Sequence, residues 1–195
     1  FSKMRSRGAR VADLAILVIA ADDGIKPQTK EALAVINSAG LPFVIALNKI
    51  DKPEANPEMV KKELSENSVF IEEWGGKVPI IPISAKTGQG INDLLEVVAL
   101  LSDLEDLKAD PQAPASGVII ESRLDSKRGN TAILVIQNGI LRQGEFVVSG
   151  STMAPVRIFE DFAGCKIKEA LFGQPVKVTG FNALPEVGST FETFI

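Results

Sequence analysis

VIALNKIDKP, residues 44–53, is the stretch on which the fold turns. An apolar run from Phe43 to Leu47 stops abruptly at Asn48-Lys49-Ile50-Asp51. Such an unbroken run predicts a strand buried on both faces, as in the middle of a parallel sheet. The polar loop behind it then lies at the strand's carboxyl end, where open α/β sheets bind ligands. Its side chains suit a guanine base. The Asp51 carboxylate can accept hydrogen bonds from guanine N1–H and from the 2-amino group. Adenine has no donor at either place. Charge-assisted bonds of this kind are worth about 1.5–3 kcal/mol each, and a polar group left unpaired by the wrong base makes discrimination steep. Asn48 can bond the N7/O6 edge and brace neighbouring loops, and the alkyl stem of Lys49 can lie over the base.

Working outward, the same alternation of strand and loop recurs. LAILVIAA (14–21) predicts an earlier buried strand and VPIIPIS (78–84) a later one. Helices are expected between and after them. KPQTKEALAVINSAG has Pro27 in its first turn and Gly40 at its end, and NPEMVKKELSEN has Asn56 as N-cap and Pro57 in first position. GINDLLEVVALLSDLEDLKA carries the stripe Ile91, Leu94, Leu95, Val98 and Leu101. This order is α/β with a parallel sheet. The third strand ends at Ser84-Ala85-Lys86, 36 residues after Asn48, and so brings a second loop to the ligand edge. There the Ala85 amide can donate to guanine O6, while Ser84 and Lys86 shape the turn. AKTGQG joins strand to helix through glycines but lacks the G-x-x-x-x-G-K-[ST] pattern of a phosphate loop. The acids of ADDG (21–24) read as exposed residues at a helix N-terminus.

Residues 108–116, KADPQAPAS, read as a linker between a first domain at 1–107 and a second at 117–195. The second has no helical periodicity. Short β-rich runs (SGVIIESRL, TAILVIQNG, EFVVSG, VRIFED, KIKEAL, PVKVTGF, STFETFI) alternate with turn signals, which predicts a small closed all-β barrel. Asn138-Gly139 is expected to form a hairpin. Seven of the ten Phe lie in this half and are expected to fill its core.

Composition narrows the chemistry. The chain has no His and one Cys, which excludes the usual zinc sites and His-based triads, so no metal site is predicted. A single Cys fits a reducing, cytoplasmic setting. The longest apolar run is eight residues, too short to span a bilayer, so no membrane partner is expected. The net charge of -4 arises in the first 110 residues, which excludes an overall basic nucleic-acid binder but allows local patches. Two such patches are Lys3, Arg5, Arg7 and Arg10 near the start, and Arg123, Lys127, Arg128 and Arg142 around SKRGN and a nearby turn.

NKIDKP and SAKTGQGINDLLE resemble the fourth and fifth guanine-nucleotide motifs of translational GTPases. FSKMRSRGARVADLAILVIAADDGIKPQT, NKIDKPEANPEMVKKEL, EEWGG and LKADP resemble bacterial translation initiation factor two, and GVIIESRLDSKRGNTAILVIQNGILRQGEFVVSG resembles its second, β-barrel domain. The resemblance implies the carboxyl-terminal half of a P-loop GTPase domain, followed by a translation-factor barrel. It implies guanine contacts from Asn48, Lys49, Asp51, Ser84, Ala85 and Lys86, and phosphate contacts to ribosomal RNA from Arg123, Lys127, Arg128 and Arg142. The full-length parent would be a GTPase that binds GTP or GDP with Mg²⁺. It would help place initiator tRNA on the small ribosomal subunit, through domains absent here, and promote subunit joining. Because the family's phosphate loop, first switch and catalytic histidine precede the stretch beginning at Phe1, these residues are expected to be an interior piece. They are expected to have no catalytic residue of their own, to hold no nucleotide tightly and not to hydrolyse GTP. Two other functions stay open: a non-catalytic module that docks on the ribosome, and a piece of another translational GTPase such as the selenocysteine-specific elongation factor. EEWGG argues against the latter.

Overall fold

The structure is a computed structural model that describes Arg5, Gly8, Ala9 and residues 11–194. Lys3, Arg7 and Arg10 of the first basic patch lie outside the described residues, while Arg5 pairs with Glu31. The chain divides into two compact units, 1–107 and 108–195.

In the first unit, β1 (Ala15–Ala20), β2 (Phe43–Asn48) and β3 (Ile80–Pro82) form a parallel sheet in the order β1-β2-β3. The connections carry α1 (Pro27–Ala39) and α2 (Pro57–Glu66), and α3 (Ile91–Leu104) follows β3. Val44, Ile45, Ala46 and Leu47 are completely buried. Alternate residues point to opposite faces of a strand, so β2 feeds two cores. Ile45 and Leu47 join Leu17 and Ile19 of β1 with residues of α1 and α2. Val44 and Ala46 pack with Leu94 of α3.

Local signals set the helix ends. Asn56 Oδ1 accepts from the Met59 amide at 3.1 Å and caps α2. Gly40 closes α1 in the left-handed region at φ 65°. Two elements are shorter than their sequence pattern predicts. β3 keeps three residues because Pro79 and Pro82 flank and end it and have no N–H to donate. α3 stops at Leu104, beyond which the charged run leaves the helix and Asp106 takes φ 49°. Leu95 of the expected stripe is exposed, because the face formed by Ile91, Leu94, Val98 and Leu101 already meets the sheet. Among the described residues no strand pairs with the outer side of β1, and Ile16 and Val18, on the face opposite Leu17 and Ile19, are exposed.

The second unit is a curled, barrel-like antiparallel sheet around one core; the expected closure is not seen, since among the described residues the two end strands of the sheet do not pair with each other. It comprises β4 (Ser116–Asp125), β5 (Gly129–Asn138), β7 (Phe146–Ser149), β8 (Thr152–Pro155), β9 (Phe159–Glu160), β10 (Lys166–Ile167), β12 (Pro175–Thr179) and β13 (Thr190–Phe194). Their order is β10-β9-β12-β5-β4-β13-β7-β8, and a separate ribbon joins β6 (Leu141–Arg142) to β11 (Glu169–Ala170). The β8 edge is held by the loop after β12: the Met153 amide donates to Asn182 Oδ1 at 2.9 Å and the Asn182 amide to Met153 O at 3.0 Å. β13 lies between β4 and β7 and pairs with both.

Three expectations for this half need correction. Asn138-Gly139 does not turn a hairpin, since β5 pairs with β4 and β12 while β6 pairs with β11. The glycine serves a close approach instead. A Cβ there would sit 2.5 Å from the carbonyl oxygens of both Ala113 and Pro114, at a φ of 72°. KIKEAL is not one strand but divides between two sheets. Of the seven Phe, only Phe159, Phe181 and Phe191 are buried, and Phe162 is 88% exposed.

The two classes of Phe should separate in denaturation. Phe159→Ala should cost about 3–5 kcal/mol of stability, whereas Phe162→Ala should stay within about 0.5 kcal/mol. Urea unfolding monitored by circular dichroism checks this, and equal losses would contradict the assigned core.

Candidate guanine-reading site

Three loops meet at the carboxyl ends of the sheet: residues 21–26 after β1, 49–56 after β2 and 83–90 after β3. Parallel pairing sets Ala20 opposite Asn48 and Leu47 opposite Pro82, so the loops leave the sheet side by side. Asn48 joins all three. Its backbone oxygen accepts from the Ala21 amide at 2.8 Å. Its side-chain Oδ1 accepts from the Lys49 amide at 2.7 Å and from the Ala85 amide at 3.0 Å.

Asp51 and Ser84 form the second link. The buried Ser84 hydroxyl donates to Asp51 Oδ1 at 2.6 Å, and Ser84 Oγ accepts from the Thr87 amide at 3.2 Å. The turn behind Ser84 is tight. The Gly88 amide donates to Ser84 O at 2.8 Å, and a Cβ on Gly90 would lie 2.2 Å from Pro82 O, at a φ of 72°. Only glycine fits there. The Ser84 hydrogen bond, with smaller help from Lys86 and Lys52, holds the Asp51 carboxyl below its ordinary range despite some desolvation. Asp51 is therefore an anion with one oxygen braced by Ser84 and the rest of the carboxylate turned to the surface. That donor-hungry edge fits the N1–H and 2-amino donors of guanine, and a carboxylate would face a lone pair at adenine N1.

Asn48, Lys49, Asp51, Ser84, Ala85 and Lys86 are thus brought to one edge, with one change of role. The Ala85 amide is engaged by Asn48 Oδ1 and not left free for O6. Asp22 corrects the reading of ADDG as exposed acids: its side chain is only 12% exposed and lies between two lysines, 3.1 Å from Lys49 Nζ and 2.5 Å from Lys52 Nζ. Sequence reasoning missed this residue. The signal that could have found it is the β1–β2 register, which sets the residues after Ala20 beside those after Asn48. Among the described residues no cluster of three or more His, Cys, Asp or Glu could hold a metal ion.

The four residues expected to contact RNA are not gathered. Lys127 and Arg128 lie at the β4–β5 turn, where their amides donate to Asp125 Oδ1, and Arg123 lies near its end of β4. Arg128 is committed to Glu160 through two bonds of 2.7 and 2.8 Å, and Arg123 lies 3.7 Å from Glu121. Arg142 follows the other end of β5, a strand about 30 Å long.

The family model described as elongation factor Tu GTP binding domain matches residues 1–103, and that of elongation factor G domain 2 matches residues 114–194. Translation initiation factor IF-2 of Rubrobacter xylanophilus is 50% identical over 192 residues, which cover 98% of this chain and 28% of that protein. Its counterpart in Persephonella marina is 52% identical over 191 residues, 98% of this chain and 22% of that one. The chain thus spans about a quarter of the length of these curated relatives. Among solved structures, GDP-bound aIF5B from Aeropyrum pernix superposes with a TM-score of 0.80 at 27% identity, over 99% of this chain and 41% of that one. A bacterial selenocysteine-specific elongation factor superposes at 0.70 with 26% identity, over 96% and 32%.

Ser84→Ala should raise the Asp51 pKa toward its ordinary value, read from the carboxyl carbon in a pH titration by NMR. Because the folded value is depressed, ionised Asp51 favours the fold above the unfolded-state value, and that contribution fades as pH falls through the folded one. The variant should lose part of this acid-side margin, and an unmoved midpoint would show that Ser84 does not set the charge.

Proposed function

The chain belongs to the family of the elongation factor Tu GTP-binding domain, and from that premise we propose that its first unit is the guanine-reading part of a translation initiation factor's GTPase domain. The observation that carries this reading is the Asp51 carboxylate, braced by the buried Ser84 hydroxyl beside Asn48 at the carboxyl ends of adjacent parallel strands. Asp51 would accept from guanine N1–H and the 2-amino group. Asn48 would hold the two loops together around the base, the Lys49 stem would lie on its face, and Lys86 would support the anion. In the whole protein the bound nucleotide, with Mg²⁺, would supply the phosphoryl group that is hydrolysed. The residues here read the base and are given no part in that step, since the sequence has no G-x-x-x-x-G-K-[ST] phosphate loop.

The second unit is a translation-factor barrel, and its role in this proposal is to dock the factor on ribosomal RNA of the small subunit. Arg123 and Lys127 are better placed for phosphate contacts than Arg128, whose charge is spent on Glu160. The whole protein would work in the cytoplasm, where it would bind and hydrolyse GTP, help place initiator tRNA through its other domains and promote subunit joining. Among the described residues no helix is long and apolar enough to cross a membrane.

Two base contacts of about 1.5–3 kcal/mol each set against an association cost of about 4–15 kcal/mol leave millimolar affinity or weaker for these 195 residues. Titration with GDP, read as amide shifts in NMR spectra, should perturb the three loops, and ADP should not. Asp51→Asn exchanges an acceptor for a donor and should favour xanthosine diphosphate, whose C2 carbonyl accepts, over GDP. Equal shifts with GDP and ADP, or an unaltered preference in the variant, would remove Asp51 as the base reader. Micromolar GDP binding would overturn the weak-affinity part.

A further inference from the structure

Asp22 follows a residue fixed on both sides. The Ala21 amide donates to Asn48 O at 2.8 Å, and Ala21 O accepts from the Asn56 amide at 2.8 Å. Ala21 is fully buried. Two residues beyond Asp22, a Cβ on Gly24 would lie 2.5 Å from a Glu63 carboxylate oxygen, and Glu63 accepts from the Ile25 amide at 2.7 Å. The loop that carries Asp22 is therefore tied to β2, to the start of α2 and to the body of α2. Its carboxylate cannot swing far.

Lys49 is the opposite kind of residue. Its backbone holds φ at 67°, in the left-handed region that side chains other than glycine seldom occupy. Its four-carbon stem would be free to sample many rotamers if nothing held the ammonium. Asp22 holds it, with Oδ1 at 3.1 Å in an ion pair and Oδ2 accepting a hydrogen bond at 3.4 Å, and Asp23 Oδ2 accepts another at 3.4 Å. Lys52 also donates to Asp22 Oδ2, at 2.5 Å. The paired lysine keeps its proton more tightly than a free one, chiefly through the Asp22 bond.

We propose that Asp22 is a positioning residue of the guanine pocket: bridging Lys49 and Lys52, it fixes the Lys49 stem where a base would lie. The proposal rests on the guanine-reading function above. An ordered stem loses less entropy when a base arrives, so affinity rises without a new contact to the ligand. Selectivity is untouched, because Asp51 reads the base edge. Lys52 has a supporting part, as its charge lowers the cost of holding Asp22 ionised beside Asp23.

The test uses the 195-residue chain and guanosine, a probe without phosphates, with adenosine as control. In NMR titrations the wild type should show guanosine-dependent shifts at Asn48, Lys49 and Asp51. Asp22→Asn should weaken guanosine binding by about threefold to tenfold, the size of coupling expected between contacting charged residues. Its preference over adenosine should not change. Asp23→Asn, at a more exposed carboxylate, should change little. The Lys49 Cε group should become more mobile in Asp22→Asn, and on a Lys49→Met background the Asp22→Asn substitution should lose its effect on affinity. Dispersed amide spectra establish that each variant is folded. Guanosine binding that is unchanged or tightened by Asp22→Asn, or an effect that persists without Lys49, overturns the positioning role and leaves the base-reading function standing. Wild-type shifts that are as large with adenosine as with guanosine overturn the base-reading function itself.

Discussion

The structure of the first unit depends on one strand being covered on both faces. β2 contributes Ile45 and Leu47 to one core and Val44 and Ala46 to another, and all four are removed from water. A strand placed in this way cannot shift by one residue without exchanging its two cores, so its carboxyl end is fixed to within a fraction of a residue step. Asn48 sits at that end. Through one backbone oxygen and one side-chain oxygen it binds the loops that follow the strands on either side. Hydrophobic burial thus sets the position of a polar group, and the polar group organises the candidate site.

Much of this was legible in the sequence because the signals were local. The apolar run before Asn48, the Asn56-Pro57 start of α2 and the Gly40 stop of α1 each act within a few residues. That the loops of Asp51 and Ser84 would meet was legible for a different reason, since strands that are neighbours in a parallel sheet must release their loops at one edge, although the bond between the two side chains was not. What failed needed knowledge of partners. The engagement of Ala85 by Asn48, and the placing of Asp22 between Lys49 and Lys52, follow from inter-strand register. In the barrel, counting Phe residues could not reveal parity. Phe191 points inward and Phe194, three positions on along the same strand, points out. Asn138-Gly139 has the composition of a hairpin turn, but the partner of the next strand was chosen elsewhere in the sheet.

The two units share an electrostatic device. Asp22 sits between Lys49 and Lys52, and Glu160 between Arg128 and Lys177. In each case a carboxylate with little exposed surface is kept ionised mainly by a hydrogen bond from one cation, with a second cation nearby. The chemistry is alike and the setting differs. Around Glu160 the cations hold barrel strands together, and the half-exposed Arg128 has its charge offset by that carboxylate. Around Asp22 the same arrangement stands beside the candidate site.

The location of β13 has a consequence for synthesis. It is the last strand of the chain described, yet it lies between β4 and β7. Without Thr190–Phe194 the eight-stranded sheet falls into a five-stranded piece and the β7–β8 hairpin, with no ladder joining them. Every strand pair among the described residues of the first unit, by contrast, is complete once Pro82 has been made. As the chain leaves the exit tunnel, amino end first, the α/β unit can close while the barrel still waits for its final five-residue strand. Until then the barrel exposes unpaired edges on both β4 and β7 to chaperones or to a neighbouring nascent chain.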